Sequence, residues 1–258
     1  MDYQFQGKYI ITGKIVCKTG LHIGGTPEEI EIGGIDNIVI KDPLTEIPYI
    51  PGSSLKGKLR SLLEWKLGKI ELHQNQGGYI AHSCGDCDAC VIFGSSSPES
   101  EVKRKSGPTR LTVRDSFPTG YTLSKWKETL GENIYTEVKT EASIDRVTSK
   151  ATPRPMERIP AGSEFEFEML FDIYKDTDRS LLKSLFIAMK LLEESSLGGS
   201  GSRGYGKVEF KDIKIKFHSL SYYETGREDE KADKLIEALK DASIVDELIE
   251  RFPSFGSR

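Results

Sequence analysis

Three observations predict an α+β fold for this chain of 258 residues. Residues 164–173, "EFEFEMLFDI", place an apolar residue at every second position, with acids between them except at Leu170, as suits a strand with one buried face. Residues 51–69 and 179–195 instead repeat their leucines at helical spacing. The strand-like and helix-like stretches also interleave along the chain, as they do when helices cover one sheet.

The elements follow in order. "KYIITGKIVCK" (8–18) is rich in β-branched and aromatic residues and predicts the first strand, with Cys17 buried in it. Residues 20–43 are a glycine-punctuated excursion with short strand pieces. In 51–69, Leu55, Leu59, Leu62 and Leu63 form one apolar helix face, and Ser53 or Ser54 suits the N-cap. A cysteine-bearing loop occupies 70–108, and "TRLTVRDSF" (109–117) predicts the next strand. Residues 136–162 are polar with three prolines, as in a projecting hairpin. After the alternating strand comes the helix at 179–195, with Leu181, Leu182, Leu185, Met189 and Leu192 inward. The closing strand spans 206–217, and the amphipathic stretch 228–251 predicts one or two helices. Without the insertions the order is strand–helix–strand–strand–helix–strand, that of ferredoxin-like, RNA-recognition-type folds. The expected division is a core over 1–218, with insertions at 70–108 and 136–162, and an acidic helical extension over 219–258.

Charge narrows the partners. The net charge is −4, but residues 224–250 carry ten acids against four bases, a net of −6, which leaves the rest at +2. The body is therefore mildly basic and compatible with a polyanion. No apolar run reaches membrane-spanning length, and Lys183 and Lys190 interrupt the most apolar helix. With no secretory start either, the expected location is cytoplasmic, without a membrane partner.

"GGSGSRGYGKVEF" (198–210) fits a dinucleotide fingerprint, most of a phosphate-binding P-loop and most of an RNA-recognition signature. The first two require a strand, then glycines, then a helix. Here a helix precedes the glycines and a strand follows, and Val208 stands where a P-loop needs Ser or Thr. Both fail. The RNA signature in turn lacks its stacking aromatic, because Lys207 occupies that position. Glycines beside Arg203 still suit close approach to a sugar-phosphate chain.

These residues, with "GLHIGG" (20–25), "GGID" (33–36), "IKDPLTEIPYIPGSSLKGKLR" (40–60), "RDSF" (114–117) and "YTEVKTEASIDRVTSKATPRPMERI" (135–159), resemble the RAMP superfamily. More narrowly, they are similar to the repeated backbone subunits of type III-A (Csm) CRISPR effector complexes. The resemblance implies a protein that repeats along a CRISPR RNA guide beside other subunits of the complex and cleaves paired target RNA. It implies Asp36 as the catalytic residue, with Mg²⁺ or another divalent metal for cleavage; Asp42, before Pro43, is a weaker rival that suits a turn. It assigns guide contacts to Gly199, Gly201, Arg203, Gly204, Tyr205 and His22. Lys56 and Arg60, four apart, share a helix face and can grip phosphates, with Ser53 and Ser54 adding donors at the helix start. The resemblance makes 136–162 a thumb crossing the guide–target duplex, with Met156 as its wedge and Arg146, Arg154 and Arg158 near the backbone. A non-catalytic RNA-binding scaffold is the alternative reading. A precursor-processing endonuclease would need a histidine, for which only His22 is suitably placed.

"HSCGDCDAC" supplies His82, Cys84, Cys87 and Cys90. The spacing is half that of a ferredoxin cluster, but the next cysteine position is Gly94. Three thiolates and an imidazole predict a closed structural zinc site, with His73 as the replacement should His82 not ligate.

Overall fold

The computed structural model describes residues 3–25, 37–72, 79–80, 82–95, 101, 105–227 and 233–238; at 71–72, 79–80 and 233–238 it describes the backbone alone. The strands are β1 (Gly7–Cys17), β2 (Glu71–Leu72), β3 (Tyr79–Ile80), β4 (Leu111–Val113), β5 (Phe117–Pro118), β6 (Glu137–Ile144), β7 (Ala151–Arg158), β8 (Glu164–Ile173), β9 (Val208–Ser219) and β10 (Asp233–Ala238). The helices are α1 (Gly52–Lys66), α2 (Asp88–Phe93), α3 (Gly120–Thr129), α4 (Leu181–Glu193) and α5 (Leu220–Thr225).

The main sheet runs β10-β9-β1-β8-β4, with β5 also on β8, and every pair is antiparallel. Within it β9-β1-β8-β4 is the fourth, first, third and second core strand, the ferredoxin-like arrangement. The alternation in β8 puts Phe165, Phe167, Met169, Phe171 and Ile173 into the core, each nearly or fully buried. Burial of each such side chain contributes about 1.5–3 kcal/mol. Leu55, Leu59 and Leu63 of α1 join Leu182, Leu185, Met189 and Leu192 of α4 against this face. On the opposite face Glu166 is exposed and Glu164, Glu168 and Asp172 are half-buried, and the aromatic rings on that side are already paired, Phe117 of β5 with Tyr49 and His218 of β9 with Tyr222. The central strands β1 and β8 present no aromatic on this face, unlike the base-stacking platform of an RNA-recognition domain.

One buried ion pair fastens the edge of the sheet. Arg110 meets both oxygens of Asp178 at 3.1 Å, and the same carboxylate accepts from the Tyr174 and Lys175 amides.

Four expectations change. The strand read over 109–117 is two short strands, because Asp115 between them turns to accept from Gly52 N at 2.7 Å. That contact also corrects the N-cap of α1: Pro51 occupies the position without a side-chain bond, and Asp115 serves from outside the helix. The helix read over 228–251 is a strand where it is described, β10, paired with β9 from Asp233↔Lys216 to Ala238↔Lys211. An open strand edge offers more hydrogen bonds than local helix propensity can offset. Finally α3, unassigned from sequence, is capped by the Thr119 side chain and anchored by buried Trp126, whose indole donates to Ser163 Oγ.

Candidate nucleic-acid interface and metal centre

Three of the segments assigned to RNA meet around His22 and Glu157. Glu157 lies on β7 and is buried. Its carboxylate accepts from Val39 N, Lys41 Nζ and Thr136 Oγ1 at 2.6–2.7 Å. Its own N–H donates to Asn37 O, and its carbonyl lies 2.8 Å from His22 Nδ1. His22 O in turn accepts from Gly199 N at 2.8 Å. One residue thus ties the hairpin, the 37–41 segment and the glycine loop together. Burial works to raise the Glu157 pKa, but Lys41, Thr136 and the Val39 amide outweigh it and hold the carboxyl below its ordinary value. His22 is 8% exposed and faces this junction. This corrects its reading as a guide contact: the ring braces the fold.

Asp36 and the whole of 26–36 lie outside the described residues. What is described is the neck from which they depart: Gly25 N donates to Ile38 O and Ile40 N to Ile23 O, an antiparallel pair beside Glu157. Asp42 is a turn former, as expected, accepting from Leu44 N, Thr45 N and Thr45 Oγ1.

The basic pair on α1 is placed otherwise than its spacing suggests. Lys56 Nζ donates to Leu111 O at 2.8 Å, covering a carbonyl on the outer edge of β4, and burial followed by the neighbouring Arg60 lowers its pKa. Arg60 donates to Glu64 Oε1, Gly94 O and His82 O at 2.7–3.0 Å. Spacing brings them to one face, but that face packs on the chain. In this structure both side chains act as internal braces. Ser53 is exposed and Ser54 half-buried at the helix start.

In the glycine loop, close packing explains three glycines. A Cβ on Gly198 would stand 2.2 Å from His22 O, one on Gly201 2.0 Å from Ser196 Oγ, and one on Gly206 2.0 Å from Leu197 O. Gly204, at φ +87°, faces open space. Arg203 is exposed, whereas Tyr205 is 2% exposed, with Lys139 and Arg158 against its ring at 4.9 and 5.3 Å. Tyr205 cannot stack its ring on a base in this position, and only its hydroxyl end, beside Glu141, is left to face a ligand.

The hairpin β6–β7 projects with Arg146 and Arg154 exposed. Met156 is 8% exposed and bridges to Asn37, near the foot of the hairpin. The wedge reading of Met156 is corrected accordingly. The exposed apolar residues toward the tip are Ile144 and Val147, the latter 93% exposed.

His82, Cys84, Cys87 and Cys90 offer ligand atoms that all lie within 4.8 Å of one another. Sulfurs sharing a tetrahedral ion at Zn–S bonds of 2.3 Å would sit about 3.8 Å apart, and Cys84 and Cys90 Sγ are 3.9 Å apart. Burial pushes the Cys87 thiol up to about 12, and a cation bound among these ligands would favour its thiolate. The set can hold a metal ion with no ligand position left open. His73 lies outside the described residues. Cys17 is buried, as expected, with its thiol likewise pushed up to about 12.

Sequence reasoning missed Glu157, Glu141 and Asp115 as organising residues. Only their carboxylate chemistry was legible, since the partners in three of their contacts stand 62 to 118 residues away and have no spacing signature.

Comparison with known proteins supplies the remaining finding. Residues 14–209 match the family model of the RAMP superfamily. Over 231 residues the chain is 48% identical to "CRISPR system Cms endoribonuclease Csm3" of Methanothermobacter thermautotrophicus, covering 85% of this chain and 90% of that protein. It is 45% identical over 239 residues to the protein of the same name in Methanocaldococcus jannaschii, covering 92% of each. Among solved structures it is similar to a Csm3–Csm4 subcomplex of a type III-A CRISPR-Cas interference complex, with TM-score 0.63, 33% identity and coverage of 97% and 100%. A Methanopyrus kandleri Csm3 crystal structure matches with TM-score 0.66, 25% identity and coverage of 98% and 100%.

Proposed function

The chain belongs to the RAMP superfamily, and from that premise we propose that it is a guide-binding backbone subunit and endoribonuclease of a type III-A CRISPR complex. The observation that carries this reading is its 45–48% identity, over at least 90% of their length, to two Csm3 endoribonucleases. Its partners are then a CRISPR RNA guide, the target RNA paired with it, further copies of itself and the other subunits of the complex. Guide contacts fall to Arg203 and the open side of the glycine loop at Gly199, Gly201 and Gly204. Ser53 and Ser54 at the start of α1, and Arg146 and Arg154 on the hairpin, extend that surface. The hairpin acts as the thumb across the duplex, and its exposed apolar tip supports that role better than Met156 does.

Asp36 is the residue assigned to cleavage. RNA carries its own nucleophile, the 2′-hydroxyl, and needs in-line geometry with charge stabilisation at the phosphate. Asp36 is covalently joined to Asn37, whose carbonyl is held by Glu157 N. Glu157 is occupied by three donors, so a divalent ion such as Mg²⁺ would rest on Asp36 and the RNA phosphate, where it would supply charge stabilisation. The metal at His82, Cys84, Cys87 and Cys90 is zinc in this reading, structural and apart from the chemistry.

Reconstituted complex carrying Asp36→Ala tests this. Guide and target binding persist while cleavage is lost; full cutting by that complex leaves only the scaffold role.

A further inference from the structure

The inference concerns how the glycine loop receives the guide, and it rests on the guide-binding reading above. Glu141, on β6 of the hairpin, sits where groups from two segments converge. Arg203 Nη1 lies 3.1 Å from its carboxylate and Lys139 Nζ 3.6 Å. The buried Tyr205 hydroxyl lies beside the same carboxylate but makes no hydrogen bond of good geometry with it. Burial works to raise the Glu141 pKa, yet Tyr205, Lys139 and Arg203 outweigh it and leave the carboxyl below its ordinary value. Two cationic heads and a hydroxyl aimed at one point are the donors that a phosphodiester takes. A carboxylate offers the same single charge and two acceptor oxygens. A phosphate carries additional oxygens, one of which can satisfy the tyrosine.

We propose that Arg203, Lys139 and Tyr205 form a phosphate subsite for single-stranded RNA, which Glu141 fills when no RNA is bound. The arginine side of this site is open, since the Arg203 side chain is 61% exposed, whereas Glu141 is 17% exposed on the hairpin side. RNA therefore arrives at Arg203 and exchanges its phosphate for the carboxylate. Because Arg203 and Tyr205 belong to the glycine loop and Glu141 to the hairpin, the exchange releases one contact between the two.

Fluorescence anisotropy of the full chain with labelled single-stranded polyuridine tests the proposal. Glu141→Gln should bind about fivefold tighter, the factor corresponding to one exposed ion pair. In an Arg203→Ala background the same substitution should give no gain. Unchanged affinity in Glu141→Gln overturns the subsite, and so does a gain that survives in the Arg203→Ala background. Should Glu141→Gln melt early, Glu141→Ala is read by the same criteria. Wild-type chain that fails to bind polyuridine at all overturns the guide-binding reading itself.

Discussion

Arg60 Nη2 donates to the backbone carbonyl of His82 at 2.7 Å, so a side chain of α1 holds the chain at the first ligand of the metal cluster. Its Nη1 holds Gly94 O beyond the last ligand, which makes the arginine a clamp across both ends of the loop. Removing hydrogen-bond partners that orient metal ligands typically costs about 10–100-fold in metal affinity. Arg60→Ala should therefore lower zinc affinity by that order in a chelator competition. Cys84→Ser or Cys87→Ser should remove the zinc found, at about one per chain, by elemental analysis. Target cleavage should survive any of these changes that leave the fold intact.

The buried pair at the sheet edge gives a stability prediction. Arg110 and Asp178 are 2–3% exposed, and the carboxylate serves two backbone amides besides the guanidinium. Removing one partner leaves a buried charge uncompensated, at a cost of about 3–5 kcal/mol. Asp178→Ala should lower the urea midpoint accordingly. A midpoint unchanged from the native protein would mean that water reaches Arg110.

Two glycines of one loop should separate packing from conformation. Both Gly204 and Gly206 have positive φ, but only Gly206 has a neighbouring backbone oxygen where a Cβ would go. Gly204→Ala should cost about 1–2 kcal/mol, the left-handed penalty alone. Gly206→Ala should cost more, because Leu197 and its neighbours must also shift. Equal losses in chemical denaturation would contradict the packing account.

Acid should act on the junction through Glu157. Its folded pKa lies below its ordinary value of 4.5, so the unfolded chain binds the proton more tightly. The stabilisation is complete above about 4.5 and is lost as pH falls through the lowered folded value. Glu157→Gln should flatten the pH dependence of stability in that acid window. It should leave the slope near neutrality unchanged.

Legibility in the sequence followed the range of the interactions. The alternation of β8 is a property of consecutive residues and identified both the strand and its buried face. The spacing of Leu182, Leu185, Met189 and Leu192 did the same for α4. The C-terminal segment has helical spacing too, yet pairs with β9, because the free edge supplying its hydrogen bonds lies elsewhere in the chain. Lys56 and Arg60 show the same limit within a site. Their spacing established a common face, while its covering by Leu111, Gly94 and His82 depended on segments from 22 to 55 residues away. The cysteine cluster was readable because its ligands are neighbours in sequence as well as in space.

The hairpin also behaves as a lever arm. Each of its strands has eight residues, a reach of about 27 Å at 3.4 Å per residue. Its fulcrum is the foot, where Glu157, Arg158 and Tyr205 meet the core. A tilt of 10° at that fulcrum would carry the tip sideways by about 5 Å, the separation of two neighbouring strands. Small errors at the foot are thus magnified at Val147. Substitutions that loosen the fulcrum without unfolding it should shift where the tip lands on a duplex more than how tightly the subunit holds its guide.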